Sequence, residues 1–171
     1  MRNLIFALLI FLPFNTFSQK MNQKAIDEKR NNEMLIGYCD RNGFSSINCN
    51  FDSCFKSEYP AYKTDEATML QLSKSLKGVK ITIVLGTWCG DSKEWVPRFL
   101  KILDELHYKN KNLTLIAVDR TKSATGTNVN ELKIDRVPTF IFFKKNHELG
   151  RIIETPEGIL EKHILKIVSG K

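Results

Sequence analysis

Residues 81–92 read ITIVLGTWCGDS. The nearly continuous apolar run at their start leads to a tryptophan and a cysteine, Trp88 and Cys89. An apolar run without polar alternation is typical of a strand buried on both faces, which we expect over residues 79–86. Apolar side chains then recur at helical spacing and predict an amphipathic helix from about Ser92 to Tyr108. A strand that passes directly into a helix places Cys89 at the first turn of that helix.

The segments on either side of this stretch predict an α/β fold with a mixed sheet. A helix is expected at residues 65–77, strands at 113–118, 138–143 and 149–154, a short helix at 128–133 and a closing helix at 156–168. A helical crossover between two strands implies parallel pairing, and a short connection implies an antiparallel hairpin. We therefore expect a central mixed sheet with helices on both faces.

The chain before residue 64 predicts an N-terminal extension that packs on this core. Residues 22–38 carry apolar side chains at loose helical spacing among charged residues, which predicts a helix. Residues 39–63 combine turn-forming residues with aromatic side chains, which indicates an irregular, packed segment. The predicted organisation is a signal peptide at 1–18, a helical extension at 19–63 and the α/β domain at 64–171.

The first 18 residues have the features of a signal peptide. Arg2 precedes an apolar run over residues 4–12, and the small residues Thr16 and Ser18 follow two apart. The apolar run is shorter than the roughly 20 residues that span a bilayer comfortably. We expect cleavage near Ser18 and an exported protein, periplasmic or extracellular. An uncleaved signal segment is the alternative, and it is the one contact with a membrane that the sequence suggests.

The charge pattern and the histidines argue against two classes of function. The formal net charge of +7 comes from basic residues scattered among acidic ones, without a basic stripe interleaved with aromatic residues. The sequence therefore does not predict nucleic-acid binding. His107, His147 and His163 have no ligand spacing with the cysteines, so we expect neither a metal nor another cofactor.

Two motifs, one at the strand-to-helix junction and one before a later strand, together resemble those of the thioredoxin superfamily. Their residues are Trp88, Cys89, Gly90, Asp91 and Ser92, and then Val137, Pro138 and Thr139. The resemblance covers roughly residues 65–169, and the wording of residues 86–92 is similar to that of secreted thioredoxin-like proteins of bacteria. It implies a thioredoxin-like fold in which Pro138 is cis, faces Cys89 and has a neighbouring backbone that pairs with an extended substrate.

Cys89 is the expected nucleophile of this site. At the start of a helix, unpaired backbone N–H groups and the positive end of the dipole favour the thiolate, which is the reactive form. Gly90 leaves room for an incoming disulfide, while the charge of Asp91 opposes the thiolate and Lys93 is placed to offset it. The expected substrate contacts are Trp88, Gly90, Asp91, Val137 and Thr139.

Ser92 departs from the two-cysteine site that the resemblance implies. In such a site Cys89 attacks a substrate disulfide, and the second cysteine resolves the mixed disulfide. Ser92 can hydrogen-bond to the sulfur of Cys89 but cannot form a disulfide, which excludes dithiol reduction within this loop. Many thioredoxins also bury an acid in the preceding strand as a proton acceptor for the second cysteine, and Ile83 stands at that position. We assign catalytic roles to Cys89, Ser92 and Pro138.

The sequence leaves three functions open. The first is monothiol thiol–disulfide exchange through Cys89, as an isomerase or a mixed-disulfide reductase, with exported cysteine-containing proteins or small thiols as partners and an unidentified electron donor. The second is a binding module that holds a partner without turnover. The third is a reductase whose resolving cysteine is Cys39, Cys49 or Cys54. These three cysteines also allow a structural disulfide that clips the extension and leaves one thiol over.

Overall fold

The computed structural model describes residues 20–170, so the predicted signal peptide at 1–18 lies outside the described residues. The strands are β1 (Gln23–Asp27), β2 (Asn32–Cys39), β3 (Val79–Leu85), β4 (Leu113–Ala117), β5 (Thr139–Lys144) and β6 (His147–Ile153). The helices are α1 (Arg41–Ser46), α2 (Phe51–Ala61), α3 (Glu66–Ser75), α4 (Gly90–Glu105) and α5 (Leu160–Ser169). Short 3-10 helices lie at Asn110–Asn112 and Val129–Leu132.

The strands form one mixed sheet in the order β1-β2-β4-β3-β5-β6. Strands β3 and β4 pair in parallel, with Ile83 opposite Leu115, because α4 crosses over between them. Strands β5 and β6 form an antiparallel hairpin, with Phe140 opposite Ile152. Both pairings confirm the sequence-based predictions, and they leave β3 in the interior of the sheet with its end leading into α4.

A β-hairpin replaces the helix that the sequence predicts over residues 22–38. Strands β1 and β2 pair antiparallel, with Ala25 opposite Met34, and β2 joins the sheet by pairing with β4. The helix prediction was wrong because the few apolar residues of this stretch fit a period of two as well as one of 3.6. The polar residues 28–31 form the turn of the hairpin.

The remainder of the extension, expected to be irregular over residues 39–63, contains helices α1 and α2 and is bound to α4. The carboxylate of Asp104 in α4 accepts hydrogen bonds from both terminal guanidinium nitrogens of Arg41, at 2.6 and 2.8 Å. The same carboxylate accepts the hydroxyl proton of Tyr59, at 2.6 Å. These bonds hold the extension against the helix that begins at the predicted site.

Two hydrophobic clusters lie on opposite faces of the sheet. Alternate side chains of β3 point in opposite directions, so that Ile83 joins the larger cluster and Val84 the smaller one. Within the described residues, helices α1–α5 all contribute buried side chains to the larger cluster. The opposite face is covered by the loop between β4 and β5, which includes the 3-10 helix Val129–Leu132. This loop is rich in turn-forming residues, which explains why no long α-helix forms there.

Replacement of Phe99 by alanine is expected to lower the free energy of unfolding by about 3–5 kcal/mol. The Phe99 ring is fully buried and stacks on that of Phe140, with the ring centroids 4.4 Å apart. Chemical denaturation measures the loss, and Leu70→Ala is the control because Leu70 is 73% exposed on α3. Equal stability of the two variants would contradict the packing described above.

Candidate active site

The junction between β3 and α4 fixes the position of Cys89. Its backbone N–H donates to the carbonyl of Gly86 at 2.8 Å, and its carbonyl accepts the N–H of Lys93 at 3.2 Å. Cys89 is therefore the N-cap residue of α4 in an extended conformation. Gly86 has to be glycine here, because a Cβ atom at this position would approach the Trp88 ring to 2.7 Å.

The loop before β5 lies against Cys89. The thiol of Cys89 donates a hydrogen bond to the carbonyl oxygen of Val137 at 3.1 Å, and the Val137–Pro138 peptide bond is cis. The carbonyl of Pro138 in turn accepts the N–H of Glu154 at 2.7 Å, which ties this loop to the end of β6. The structure thus brings together two predicted catalytic residues, Cys89 and Pro138, that are separated by almost fifty positions in the sequence.

Ser92 has a different hydrogen bond from the one predicted. Its side chain is fully buried, and its hydroxyl oxygen accepts the N–H of Gly86 at 3.1 Å. Within the described part of the chain, Ser92 does not form the expected hydrogen bond to the sulfur of Cys89. The Cys89 thiol donates to the carbonyl oxygen of Val137 instead. Ser92 therefore braces the first turn of α4 against the end of β3.

The predicted substrate contacts differ in how much surface they offer. Gly90 is exposed, and a Cβ atom placed on it would have no neighbour within 4 Å, so this side of the cysteine is open. Asp91 is partly exposed in the same turn. The side chains of Val137 and Thr139 are buried, and the Thr139 hydroxyl donates to the carbonyl of Arg136 at 2.6 Å. Val137 therefore faces the cysteine through its backbone rather than its side chain.

Trp88 is partly buried and is fixed by groups that sequence reasoning missed. Its indole N–H donates to the carbonyl of Val118 at 2.9 Å. The guanidinium of Arg120 lies over the ring, 4.7 Å from its centroid, and forms an ion pair with Asp27 of β1. No local pattern in the sequence signals this contact, because Asp27 and Arg120 are 93 positions apart.

The other three cysteines occupy different environments. All four cysteines of the chain have free thiols, and Cys39 is buried in the larger cluster. Burial raises the pKa of the Cys39 thiol to about 12. Cys49 and Cys54 are partly exposed, and burial also raises the pKa of Cys49. Of the three cysteines considered for a disulfide, Cys49 and Cys54 are the accessible pair.

The described residues contain neither a metal-binding cluster nor a membrane-spanning helix. Across residues 20–170, no group of three or more histidine, cysteine or acidic side chains is arranged to hold a metal ion. In the same part of the chain, no helix is both long and apolar enough to cross a membrane.

The sequence of the α/β domain is similar to those of known thioredoxins. A family model for thioredoxin matches residues 65–166. A thioredoxin of Aspergillus fumigatus is 27% identical over 101 residues, which are 59% of this chain and 88% of the relative. An H-type thioredoxin of Ricinus communis is 27% identical over 97 residues, which are 57% of this chain and 77% of that one.

The fold of one solved structure is similar to this chain over a longer stretch than the family model covers. The crystal structure of a protein of unknown function from Pseudomonas aeruginosa superposes with a TM-score of 0.57 at 16% identity, covering 79% of this chain and 93% of that one. This similarity concerns the fold alone. The sequence match over residues 65–166, together with the fold, shows that the chain belongs to the thioredoxin family, whose members carry out thiol–disulfide redox chemistry.

Cys39 is expected to resist alkylation in the folded, reduced protein. Its burial and raised pKa leave almost no accessible thiolate at about pH 8, whereas Cys89 is partly exposed. Iodoacetamide labelling followed by peptide mapping should show Cys39 reacting at least about 100-fold more slowly than Cys89. In denaturant the two should react alike, and labelling of Cys39 at the rate of Cys89 in the native protein would contradict its burial.

The same group makes stability depend on pH in a defined direction. The folded-state pKa of Cys39, about 12, lies above its ordinary value of 9.0, so the unfolded chain releases this proton first. The contribution of Cys39 to the free energy of unfolding is therefore complete below pH 9.0 and is lost as the pH rises toward 12.

Proposed function

We propose that this protein performs monothiol thiol–disulfide exchange through Cys89. The supporting observation is a partly exposed thiol at the N-cap of α4, beside the Pro138 loop, with a buried serine at the position of a second cysteine. The backbone N–H groups at the start of α4 favour the thiolate that attacks a disulfide. The open space at Gly90 gives an incoming disulfide access to the sulfur.

The exchange proceeds in two balanced steps. The Cys89 thiolate bonds to one sulfur of a substrate disulfide, the original S–S bond breaks, and the other sulfur leaves as a thiolate. A second thiolate, from a small thiol or from the substrate itself, then attacks the substrate sulfur of the mixed disulfide. Cys89 departs as a thiolate and is regenerated. With a small thiol the substrate sulfur is left in a mixed disulfide with that thiol, and a second molecule of the thiol attacks the small-thiol sulfur to release the reduced substrate and the oxidised small thiol. With the substrate's own cysteine, its disulfides are rearranged.

Two observations support resolution by a thiol from outside the chain. The Ser92 hydroxyl is buried and occupied by the Gly86 N–H, so that residue offers no reactive group. Cys39 is buried with a strongly raised pKa, and Cys49 packs against the larger cluster, whereas Cys89 packs against the smaller cluster on the other face of the sheet. These placements argue against a resolving role for Cys39 and Cys49.

The proposal includes export. Its support is the composition of residues 1–18, where one basic residue, a short apolar run and small residues follow one another as in a signal peptide. The partners of Cys89 are then cysteine-containing exported proteins or small thiols. A further thiol in the same compartment serves as the electron donor.

Oxidised glutathione tests the first step. Incubation of the reduced protein at about neutral pH should add one glutathionyl group to Cys89, and a small thiol should remove it again. Residues 81–93, released by trypsin after Lys80 and Lys93, contain Cys89 and no other cysteine, so mass spectrometry reads this site separately. Cys89→Ser should abolish the adduct on this peptide, and Cys54→Ser should leave it unchanged. An unmodified Cys89 in the unaltered protein would refute monothiol exchange.

Ser92→Cys tests the assignment of the missing step. A cysteine at this position would resolve the mixed disulfide internally, so thiol-driven reduction of insulin should rise about tenfold or more above that of the unaltered protein. Ser92→Ala is the matched control, because it changes the same buried position without adding a thiol, and its rate should not rise. If the unaltered protein already reduces insulin as fast as Ser92→Cys, an internal resolving group exists and the external-thiol proposal fails.

A further inference from the structure

An ion pair between the buried Asp27 and the partly exposed Arg120 links the N-terminal hairpin to the cysteine loop. The Asp27 side chain is 1% exposed, and its two carboxylate oxygens accept hydrogen bonds from Arg120 Nε at 2.6 Å and from a terminal guanidinium nitrogen at 2.8 Å. Such bidentate pairing fixes the plane of a guanidinium as well as its position. The backbone N–H of Lys29 donates to the same carboxylate at 3.3 Å.

The opposite side of this pair contacts the active-site loop. The Arg120 guanidinium lies 4.7 Å from the centroid of the Trp88 ring, a distance at which a cation is attracted to the face of an aromatic ring. Trp88 immediately precedes Cys89, so the ring and the thiol share one short segment between β3 and α4. The pKa of Arg120 is raised, chiefly by the hydrogen bond and charge of Asp27, and a negative charge on the Cys89 sulfur would raise it further.

Two groups beside Cys89, the Val137 carbonyl and the Asp91 carboxylate, disfavour a negative charge on its sulfur. The thiol donates to the Val137 carbonyl, and a thiolate loses this hydrogen bond and faces a carbonyl oxygen instead. Asp91, in the first turn of α4, adds a negative charge nearby. The other partly buried side chains around the smaller cluster are uncharged and come from β2 and the β4–β5 loop: Ile36, Tyr38, Leu132 and Ile134.

Two other cations in the segments that flank the site, Lys93 and Arg136, are engaged elsewhere. Lys93, in the first turn of α4, is buried and binds the side-chain oxygen of Asn50. Arg136, just before the Pro138 loop, is paired with Glu154 at 2.8 Å. Arg120 differs from both because its guanidinium is held over the residue next to Cys89 and remains charged at any pH of interest.

We propose that Arg120 is a positioning residue for Cys89, stacked on Trp88 and fixed by Asp27, whose positive charge stabilises the thiolate form of the site. This inference rests on the proposed exchange function and deepens it, since the thiolate is the species that attacks. It also gives the N-terminal hairpin a part in the chemistry, because β1 supplies the carboxylate that sets the position of Arg120.

The test measures the rate of Cys89 alkylation by iodoacetamide in the purified, reduced protein, read on the tryptic peptide of residues 81–93. Arg120→Gln removes the charge, and Arg120→Lys keeps it without the bidentate fork. Arg41→Gln is the matched control, because Arg41 forms an equally short bidentate pair that ties the extension to α4, but with Asp104.

The expected pattern separates charge from structure. At about pH 7, Arg120→Gln should slow alkylation about 3- to 10-fold, Arg120→Lys should recover at least about half of the loss, and Arg41→Gln should stay within about twofold. At about pH 10, where thiols are largely ionised, the rates should converge. Salt at about 1 M should slow the unaltered protein at about pH 7 and leave Arg120→Gln unchanged, because it screens the charge.

Equal rates for the unaltered protein and Arg120→Gln at about pH 7 would overturn the inference. An equal loss at both pH values would overturn it as well, since that result indicates a merely structural role. Alkylation needs no disulfide substrate. A protein whose Cys89 forms no mixed disulfide with oxidised glutathione would therefore disprove the proposed function, while the alkylation rates would still report on Arg120.

Discussion

Strand β3 is hydrogen-bonded on both sides, to β4 in parallel and to β5 antiparallel. The positions of the two catalytic segments, the Cys89 loop and the Pro138 loop, depend on this pairing. Cys89 follows the end of β3 after three residues, and Pro138 immediately precedes β5, whose first residue Thr139 lies opposite Val84. The two adjacent strands thus place the cysteine and the proline at the same end of the sheet. The contact between the thiol and the Val137 carbonyl is a consequence of this register.

The loop between β3 and α4 is held from three sides rather than by its own sequence alone. Ser92 accepts the Gly86 N–H from within the loop, Val118 accepts the indole N–H of Trp88 from the end of β4, and Arg120 lies over the indole ring. The serine that removes the second thiol therefore also contributes a buried hydrogen bond. Such a bond, together with the cost of leaving its partner unpaired, stabilises a fold by about 1–3 kcal/mol.

The sequence predicted the central elements because they are long and strongly patterned. The apolar run of β3, the helical face of α4 and the short β5–β6 connection each allow one interpretation. Residues 22–38 allow two interpretations, because their few apolar positions are compatible with a period of two as well as with one of 3.6. The strand forms because β2 pairs with β4. The Ser92 hydrogen bond depends on which way one hydroxyl points. The contact between Asp27 and Arg120 depends on the complete fold.

The hairpin also has a consequence for where the domain can be cut. The thioredoxin match begins at residue 65, yet β2 covers the outer edge of β4 at Gly37–Cys39, and Leu35 and Phe44 complete the larger cluster. A fragment that begins at residue 65 would leave β4 as an edge strand with unpaired backbone groups and exposed apolar surface beside it. Such edges template intermolecular β-pairing, so we expect a fragment of this chain to remain monomeric only if it retains the N-terminal hairpin.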